Sequence, residues 1–230
     1  MRTQDSIQIK ICGITREQEI DWLLEEQVEY LGLVLFCPQS KRNLEPERAA
    51  ELMVYLKEQE KILGRVIQTV AVMVSPTREQ MKLAEELGFD FLQLHGRIEP
   101  ELWKQVKLPV IRAVQVVTNE QMTETVNTDN CVVARLYDAA RPGSGKVFDW
   151  NHLTANSLPP GTKLFLAGGL TPDNVAEAIR TVHPDVVDVS SGVEADSTAD
   201  GSFAGKDREK ISRFVKAVRE QKELKEEKRR

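Results

Sequence analysis

Cys12 has the sequence surroundings of a reactive thiol. It ends a short aliphatic run and is followed by a glycine and by the segment TREQ (15–18), which predicts a helix start. Because a helix N-terminus lowers the pKa of a nearby thiol toward neutrality, this setting predicts a thiolate that can act as a base or a nucleophile. Cys37 and Cys131 lack such surroundings and are assigned to packing.

Two acidic residues in strand-like segments are candidates for proton transfer or substrate contact. Asp138 ends an otherwise apolar run, where it either caps the next turn or, in a cavity that raises its pKa, donates a proton as a general acid. Asp188 lies inside the apolar segment VVDVS (186–190). An inward-facing carboxylate there needs a partner, which is either structural or a substrate group.

His95 and Arg42 are candidate substrate-binding residues. His95 closes the aliphatic run FLQLH (91–95) and is interpreted as a site-flanking histidine satisfied by its neighbours, with a role as ligand or catalytic group as the alternative. Arg42 lies in the segment SKR (40–42). Its planar guanidinium suits a carboxylate, which it binds through two parallel hydrogen bonds, whereas a solvated loop arginine is the alternative.

Two glycine-containing loops have the composition of phosphate-binding loops. Gly168 and Gly169 precede Leu-Thr-Pro, and Ser190, Ser191 and Gly192 follow a second apolar run. Glycine lets the backbone approach an anion closely, and amides near a helix N-terminus point toward it. Two ordinary glycine turns are the alternative. However, both loops directly follow an apolar run, and this common position favours a phosphate site.

These side chains need a scaffold, and eight short aliphatic runs supply its predicted strands. Most of the runs are followed by an amphipathic stretch, and several are continuously apolar, which is typical of parallel strands covered on both faces. The runs are Ile7–Cys12, Tyr30–Phe36, Thr69–Val74, Phe91–His95, Val110–Val114, Cys131–Tyr137, Lys163–Ala167 and Val186–Ser190.

Helix starts follow several of these runs. The segments TREQ (15–18) and TREQ (77–80) have capping-box spacing, in which the Thr hydroxyl and the Gln side chain satisfy backbone amides reciprocally. Thr171 and Pro172 predict a cap followed by proline at the first helical position.

Eight strand–helix units without a linker predict an α/β fold, a single (βα)8 TIM barrel over 1–230, with the charged segment 219–230 as a frayed tail. An open doubly wound sheet is the alternative, although no GxGxxG sequence follows the first strand. In such barrels the active site forms at the carboxyl ends of the strands. The candidate residues above gather at that end.

Composition narrows the class of protein further. The 230 residues include 41% hydrophobic and 29% charged residues, with a net charge of −5 and three cysteines. No basic bias marks a nucleic-acid surface, and no apolar run approaches the length of a membrane span. The first residues lack the apolar core of a signal peptide, and no cysteine pair has metal-ligand spacing. These features predict a reduced, cytoplasmic, globular protein without a metal site, and they leave monomer and homodimer open.

Several segments together resemble the phosphoribosylanthranilate isomerase family of tryptophan biosynthesis, which performs an Amadori rearrangement. The resemblance extends from near the start of the chain to Asp207, and KICGIT combined with VDVSSGVE is its most specific part. The matching segments are KICGIT (10–15), SKR (40–42), LQLHG (92–96), GSGKVFDW (143–150), AGGLTPDNV (167–175), VDVSSGVE (187–194) and GKD (205–207).

The resemblance implies roles for these residues. Cys12 corresponds to the general base and Asp138 to the general acid of the rearrangement, and Arg42 would hold the anthranilate carboxylate. His95 and Asp188 remain candidate substrate-binding residues from their own positions in the predicted strands. The loops at Gly168 and Ser190 would hold the substrate phosphate. The implied reaction needs no metal or organic cofactor, and its partner is a small phosphorylated substrate.

Two loops depart from the family pattern. After the sixth predicted strand Pro142 replaces the first of two usual glycines, and an alignment with a longer loop would put the acid at Arg135, which cannot serve. After the eighth strand the loop Ala195–Ala204 is longer than usual. It either alters closure over the substrate or is a tolerated surface insertion.

The rival readings are another phosphate-binding barrel enzyme and a barrel that binds phosphometabolites without catalysis. Indoleglycerol-phosphate synthase, a ribulose-phosphate epimerase and the histidine-pathway isomerase belong to the first group. The last of these uses two aspartates, and Cys12 replaces one of them here. An epimerase would need metal ligands, for which the sequence has no convincing His/Asp cluster.

Overall fold

The computed structural model describes residues 7–115, 131–138, 158–159, 161–198 and 201–227. The predicted segment GSGKVFDW, the rest of the loop after Asp138 and the last three residues of the predicted tail lie outside the described residues.

Parallel strands form a closed barrel. Around it run β1, β9, β8, β7, β6, β5, β4 and β2, and β1 also pairs with β2. The two-residue strand β3 pairs only with the end of β2. The bounds are β1 (Gln8–Cys12), β2 (Tyr30–Leu35), β3 (Asn43–Leu44), β4 (Gln68–Val74), β5 (Phe91–His95), β6 (Val110–Gln115), β7 (Val132–Asp138), β8 (Lys163–Ala167) and β9 (Val186–Val189). Each of the eight predicted strands is confirmed within one residue at either end, and the TIM barrel is confirmed with them.

Helices alternate with most of these strands. In the described residues they are α1 (Glu17–Glu25), α2 (Pro46–Leu63), α3 (Arg78–Glu86), α4 (Pro100–Trp103), α5 (Val175–Val182) and α6 (Arg208–Glu227). The last helix reaches into the charged tail predicted from the sequence. No helix in the described ranges combines the length and the apolar character that crossing a membrane requires.

Buried side chains form two apolar layers. The larger joins helices and strands, and includes Leu23, Leu52 and Phe214, which are almost fully buried. The smaller combines Cys12 with aromatic and branched side chains from several strands. In it the ring of Tyr30 meets Phe165 edge to face, with centroids 5.4 Å apart. Tyr30 begins β2, so these rings close the barrel at the amino ends of the strands and leave its opposite end for the site.

The predicted helix caps have mixed outcomes. At α3 the box is confirmed, because Gln80 N donates to Thr77 Oγ1 (3.3 Å) and Thr77 N donates to Gln80 Oε1 (2.9 Å). At α1 the prediction of Gln18 as the reciprocal residue is wrong. The side chain of Glu19 takes that part, accepting from the backbone N–H groups of Thr15 (2.7 Å) and Arg16 (3.2 Å).

The predicted start of α5 at Pro172 is also wrong. The helix begins at Val175, after a turn in which Thr171 N donates to Asn174 Oδ1 (2.8 Å) and Asn174 Nδ2 donates to Gly169 O (2.9 Å). The Asn174 side chain therefore folds the segment after Gly169 into a turn before the helix can begin.

Candidate active site

Cys12 is the last residue of β1 and its side chain is buried inside the barrel. Side chains alternate along a strand, so Lys10 points to the same face. Lys10 is fully buried, and its Nζ lies 2.8 Å from Asp188 Oδ2 on the neighbouring strand β9. The Cys12 sulfur lies near the same ammonium, since Cys12 Sγ and Lys10 Nζ are each 3.1 Å from the position that a Cβ of Gly32 would take. The structure thus brings Cys12 and Asp188 together through a lysine that the sequence analysis did not single out.

The charge state of Cys12 differs from the sequence prediction. Burial raises the pKa of the thiol, and the positive charges of Lys10 and Lys206 only partly oppose this effect. The predicted lowering of this pKa by a helix N-terminus is wrong, because burial is the largest effect on the thiol and raises its pKa. Positive side chains, rather than the helix, are therefore the groups that favour the thiolate here.

Asp138 is the last residue of β7, at the same end of the barrel as Cys12. In the order of strands β7 lies three places from β1, across β8 and β9. Its neighbour in the β7–β8 ladder is Ala167, directly before Gly168. The predicted acid therefore lies at the same end of the barrel as the predicted base and the first glycine loop.

His95 ends β5 and contacts Gln93 from the same strand face. Its Nε2 lies 2.8 Å from Gln93 Nε2. Burial, together with the nearby positive charges of Lys10 and Arg112, lowers the pKa of His95 to about 4. The imidazole is therefore neutral near pH 7, and with Gln93 donating to Nε2 the ring proton is on Nδ1.

Arg42 is held by a glutamate that the sequence analysis did not flag. Its Nε donates to Glu194 Oε1, while Lys41 Nζ lies 2.8 Å from Glu194 Oε2 and the buried Lys206 Nζ lies 3.3 Å from Glu194 Oε1. Burial raises the pKa of Glu194, but its hydrogen bonds to Arg42 and Lys41 and the charge of Lys206 outweigh burial and bring it to about 2. Glu194 is therefore an anion that gathers three cations beside Cys12.

The long loop after β9 packs over this cluster. Lys41 Nζ lies 5.0 Å from the ring centre of Phe203, and Arg16 Nη1 donates to Ala204 O (2.9 Å). These contacts attach the described part of Ala195–Ala204 to the Arg42 loop and to the start of α1.

The two glycine loops are in direct contact. Gly168 and Gly169 both have positive φ angles (87° and 65°), which favour glycine. A Cβ added to Gly192 would lie 1.9 Å from Leu170 O, so this position has no room for a side chain. The structure therefore brings together the backbones that the sequence predicted as one phosphate site.

Ser190 and Ser191 begin the second loop. Ser190 Oγ donates to Cys12 O (2.9 Å), and Lys206 Nζ donates to Ser190 O (3.1 Å). Ser191 starts a single 3₁₀ turn, Ser191–Val193. The second loop is thus tied directly to the end of β1.

Lys10, Glu194 and Lys206 are the residues that sequence reasoning missed. Each is charged and lies in or beside a segment rich in buried residues, KICGIT, VDVSSGVE or GKD. Of the three, only Lys10 lies within a predicted apolar strand, which is the signal that identified Asp188.

A closed parallel barrel with a thiol, a buried ion pair and glycine loops at the carboxyl ends of its strands has the architecture of a TIM-barrel enzyme. The family model described as N-(5'phosphoribosyl)anthranilate (PRA) isomerase matches residues 9–217. The chain therefore belongs to the N-(5'-phosphoribosyl)anthranilate isomerase family, which confirms the family and the isomerase activity predicted from the sequence.

Individual relatives agree with this assignment. The N-(5'-phosphoribosyl)anthranilate isomerase of Streptococcus pneumoniae (strain Hungary19A-6) is 37% identical over 212 residues, 92% of this chain and 95% of the relative. The crystal structure of the Thermotoga maritima phosphoribosyl anthranilate isomerase matches with a TM-score of 0.78 and 33% identity, over 93% of this chain and 99% of that one. A phosphoribosyl anthranilate isomerase in complex with reduced 1-(o-carboxyphenylamino)-1-deoxyribulose 5-phosphate matches with a TM-score of 0.74 and 30% identity, over 93% and 99% of the two chains.

Proposed function

We propose that this chain converts N-(5-phosphoribosyl)anthranilate to 1-(2-carboxyphenylamino)-1-deoxyribulose 5-phosphate with Cys12 as the general base and Asp138 as the general acid. The single observation that supports this most strongly is the buried Cys12 sulfur beside the Lys10 ammonium at the end of β1. A thiol in that position has a cation available to stabilise its anion.

The proton transfers follow from this assignment. Asp138 protonates the ring oxygen of the furanose, and the ring opens to a Schiff base. The Cys12 thiolate then removes the proton from C2, which gives an enolamine that tautomerises to the aminoketose. At the end Asp138 is a carboxylate and Cys12 a thiol, and exchange of protons with water restores both.

Arg42 is the proposed anchor for the anthranilate carboxylate. Its side chain is 22% exposed, and Glu194 accepts from only one of its guanidinium nitrogens, Nε, which leaves donor nitrogens for a second carboxylate. Asp188 Oδ1 is buried without a hydrogen-bond partner in the described residues, which supports Asp188 as an acceptor for a substrate hydroxyl. The neutral His95 would donate through Nδ1.

The substrate phosphate is assigned to the two glycine loops. Backbone amides around Gly168 and Gly169 and around Ser190, Ser191 and Gly192 would donate to its oxygens, as at other phosphate sites after the last two strands of such barrels. The buried Lys206, which donates to Ser190 O, adds positive charge beside this loop.

The proposed location is the cytoplasm, and the proposed partner is the phosphorylated substrate alone. The three cysteines are all free, which suits a reducing compartment.

The test is the loss of anthranilate-adduct fluorescence when the protein meets freshly formed phosphoribosylanthranilate. Cys12→Ala and Asp138→Asn are each expected to reduce kcat by about 10²–10⁴-fold, the usual contribution of a general acid or base. Cys131→Ser is the control for loss of a thiol and is expected to keep turnover. Undiminished turnover in folded Asp138→Asn would reject the acid, and in folded Cys12→Ala the base.

A further inference from the structure

Three ionisable side chains meet inside the barrel where β1 joins its two neighbours. In the β1–β9 ladder Lys10 lies opposite Asp188, and in the β1–β2 ladder Cys12 lies opposite Gly32. Lys10 and Asp188 are both buried, with side-chain exposures of 0% and 5%, and their ion pair is 2.8 Å long. The Lys10–Asp188 ion pair therefore lies next to Cys12, the proposed base.

Gly32 makes room for the contact between lysine and sulfur. A Cβ added there would lie 3.1 Å from Cys12 Sγ and 3.1 Å from Lys10 Nζ, closer than side chains normally pack. The sulfur and the ammonium therefore converge over the one residue of β2 that has no side chain. Any larger residue would push them apart.

A buried ion pair is a poor way to stabilise a barrel core, because removing both charges from water costs about as much as their attraction returns. Apolar residues of the same size would serve the core equally well. The pair does, however, change the electrostatic surroundings of the neighbouring sulfur. Cys12 faces the ammonium of Lys10 directly, with the carboxylate of Asp188 and the ammonium of Lys206 as the other charges acting on it.

We propose that Lys10 is a positioning residue that favours the thiolate form of Cys12 over the thiol, and that Asp188 holds the Lys10 ammonium close to that sulfur. This inference rests on the proposed role of Cys12 as the base. In the free enzyme the thiol proton passes to water, and Lys10 stabilises the anion left behind. When the thiolate takes the proton from C2 of the substrate, it becomes a neutral thiol while Lys10 remains protonated and paired with Asp188.

The test follows the ionisation of Cys12 directly, in a Cys37→Ser/Cys131→Ser background where it is the only thiol. The ultraviolet absorbance of the thiolate is titrated against pH, and the rate of alkylation by iodoacetamide is measured alongside. Lys10→Met is expected to raise the thiol pKa by about one to three units, the usual effect of losing an adjacent opposite charge. Alkylation at a pH below the thiol pKa then falls by about tenfold or more.

Asp188→Asn tests the second half of the proposal, because it leaves the buried Lys10 without the carboxylate that holds it. The thiol pKa is therefore expected to rise here as well, and a fall would show that Asp188 acts on the sulfur only as an anion and would overturn its positioning role. The double variant Lys10→Met/Asp188→Asn leaves no unpaired buried charge and is expected to raise the thiol pKa as Lys10→Met does. If Lys10→Met does not fold, the thiol pKa of this double variant tests the role of Lys10 instead. Lys57→Met, which removes a half-exposed lysine from α2, is the control for loss of a positive charge and is expected to change nothing.

Turnover supplies a second readout, since the acid limb of kcat/KM against pH reports the base of the free enzyme and should move with the thiol pKa. An unchanged titration in any folded variant of Lys10 or Asp188 would overturn the inference. The fate of the proposed base is decided separately by turnover of Cys12→Ala, which does not enter the titration.

Discussion

Two buried ion pairs lie near the carboxyl end of β1 in the part of the chain that the structure describes. Lys10 pairs with Asp188, and Lys206 pairs with Glu194. An unpaired charge in such surroundings would become neutral, because burial penalises the ionised form. The pairs therefore fix two positive charges on either side of the Cys12 thiol, one within β1 and one beyond β9.

His95 shows the opposite outcome, since burial and the positive charges around it lower its pKa to about 4 from an ordinary value of 6.5. Between these values the unfolded chain binds the proton that the folded chain excludes. The contribution of neutral His95 to stability is therefore complete above pH 6.5 and is lost as the pH falls toward 4. His95→Gln is expected to flatten this part of the pH dependence of the free energy of unfolding, measured in urea.

Proton NMR of the imidazole supplies the check on that prediction. The His95 ring signals of the folded protein should shift only near pH 4, well below the range of an exposed histidine. A midpoint near 6.5 would show that burial and the charges of Lys10 and Arg112 do not act on the ring as the structure indicates.

Some residues of the site could be predicted from the sequence and others could not. Cys12 was found from its place at a strand end, and Asp188 from being a charge within an apolar strand. Lys10 carries the same signal as Asp188, and the barrel order predicted from eight strands makes their two strands neighbours. Glu194 had no such signal, because its partners Arg42, Lys41 and Lys206 come from distant loops that only the folded chain brings together.

At the scale of elements, the strands were predictable because continuous aliphatic runs identify them. The helix starts were less predictable from the sequence. Several neighbouring residues can form a cap, and contacts with distant parts of the chain decide which one does. At α1 the carboxylate of Glu19 accepts not only from the amides of the first turn but also from Lys206 N (2.7 Å) near the far end of the chain. Gln18 offered the same local spacing without that second bond.

The contact between the two glycine loops allows a sharp test of how they cooperate. Gly192→Ala forces its Cβ against Leu170 O, so one loop must shift, at a cost in stability of about 1–3 kcal/mol. Losing one charge-assisted hydrogen bond to phosphate should then raise KM about tenfold. KM for phosphoribosylanthranilate and inhibition by inorganic phosphate are the measurements.

Gly64→Ala is the matched control for that change. Gly64 follows α2 with a positive φ of 63°, and nothing lies within 4 Å of an added Cβ. It should lose some stability through backbone strain and keep its KM. An unchanged KM in Gly192→Ala would mean that the contact between the loops does not shape the binding of phosphate.

At the scale of the whole molecule, the site depends on closure of the barrel. The first strand pairs with β9 as well as with β2, so the proposed base on β1 and the carboxylate that holds its lysine come from opposite ends of the chain. The last helix, α6, packs against α1 and α5 on the outside of this junction. A substitution that weakens the packing of α6 should therefore lower the free energy of unfolding of the barrel and leave turnover per folded molecule little changed.

Phe214 of α6 is the residue with which to test this dependence. Its side chain is fully buried in the layer between helices and strands, so Phe214→Ala should lower the free energy of unfolding by about 3–5 kcal/mol. The same substitution at the half-buried Phe203, which contacts Lys41, should cost about 1 kcal/mol or less. Urea unfolding measures both, and turnover per folded molecule should stay near the wild-type value in Phe214→Ala. If that turnover fell together with stability, α6 would be shaping the site itself, since Lys206 lies immediately before the helix and contacts both Ser190 and Glu194.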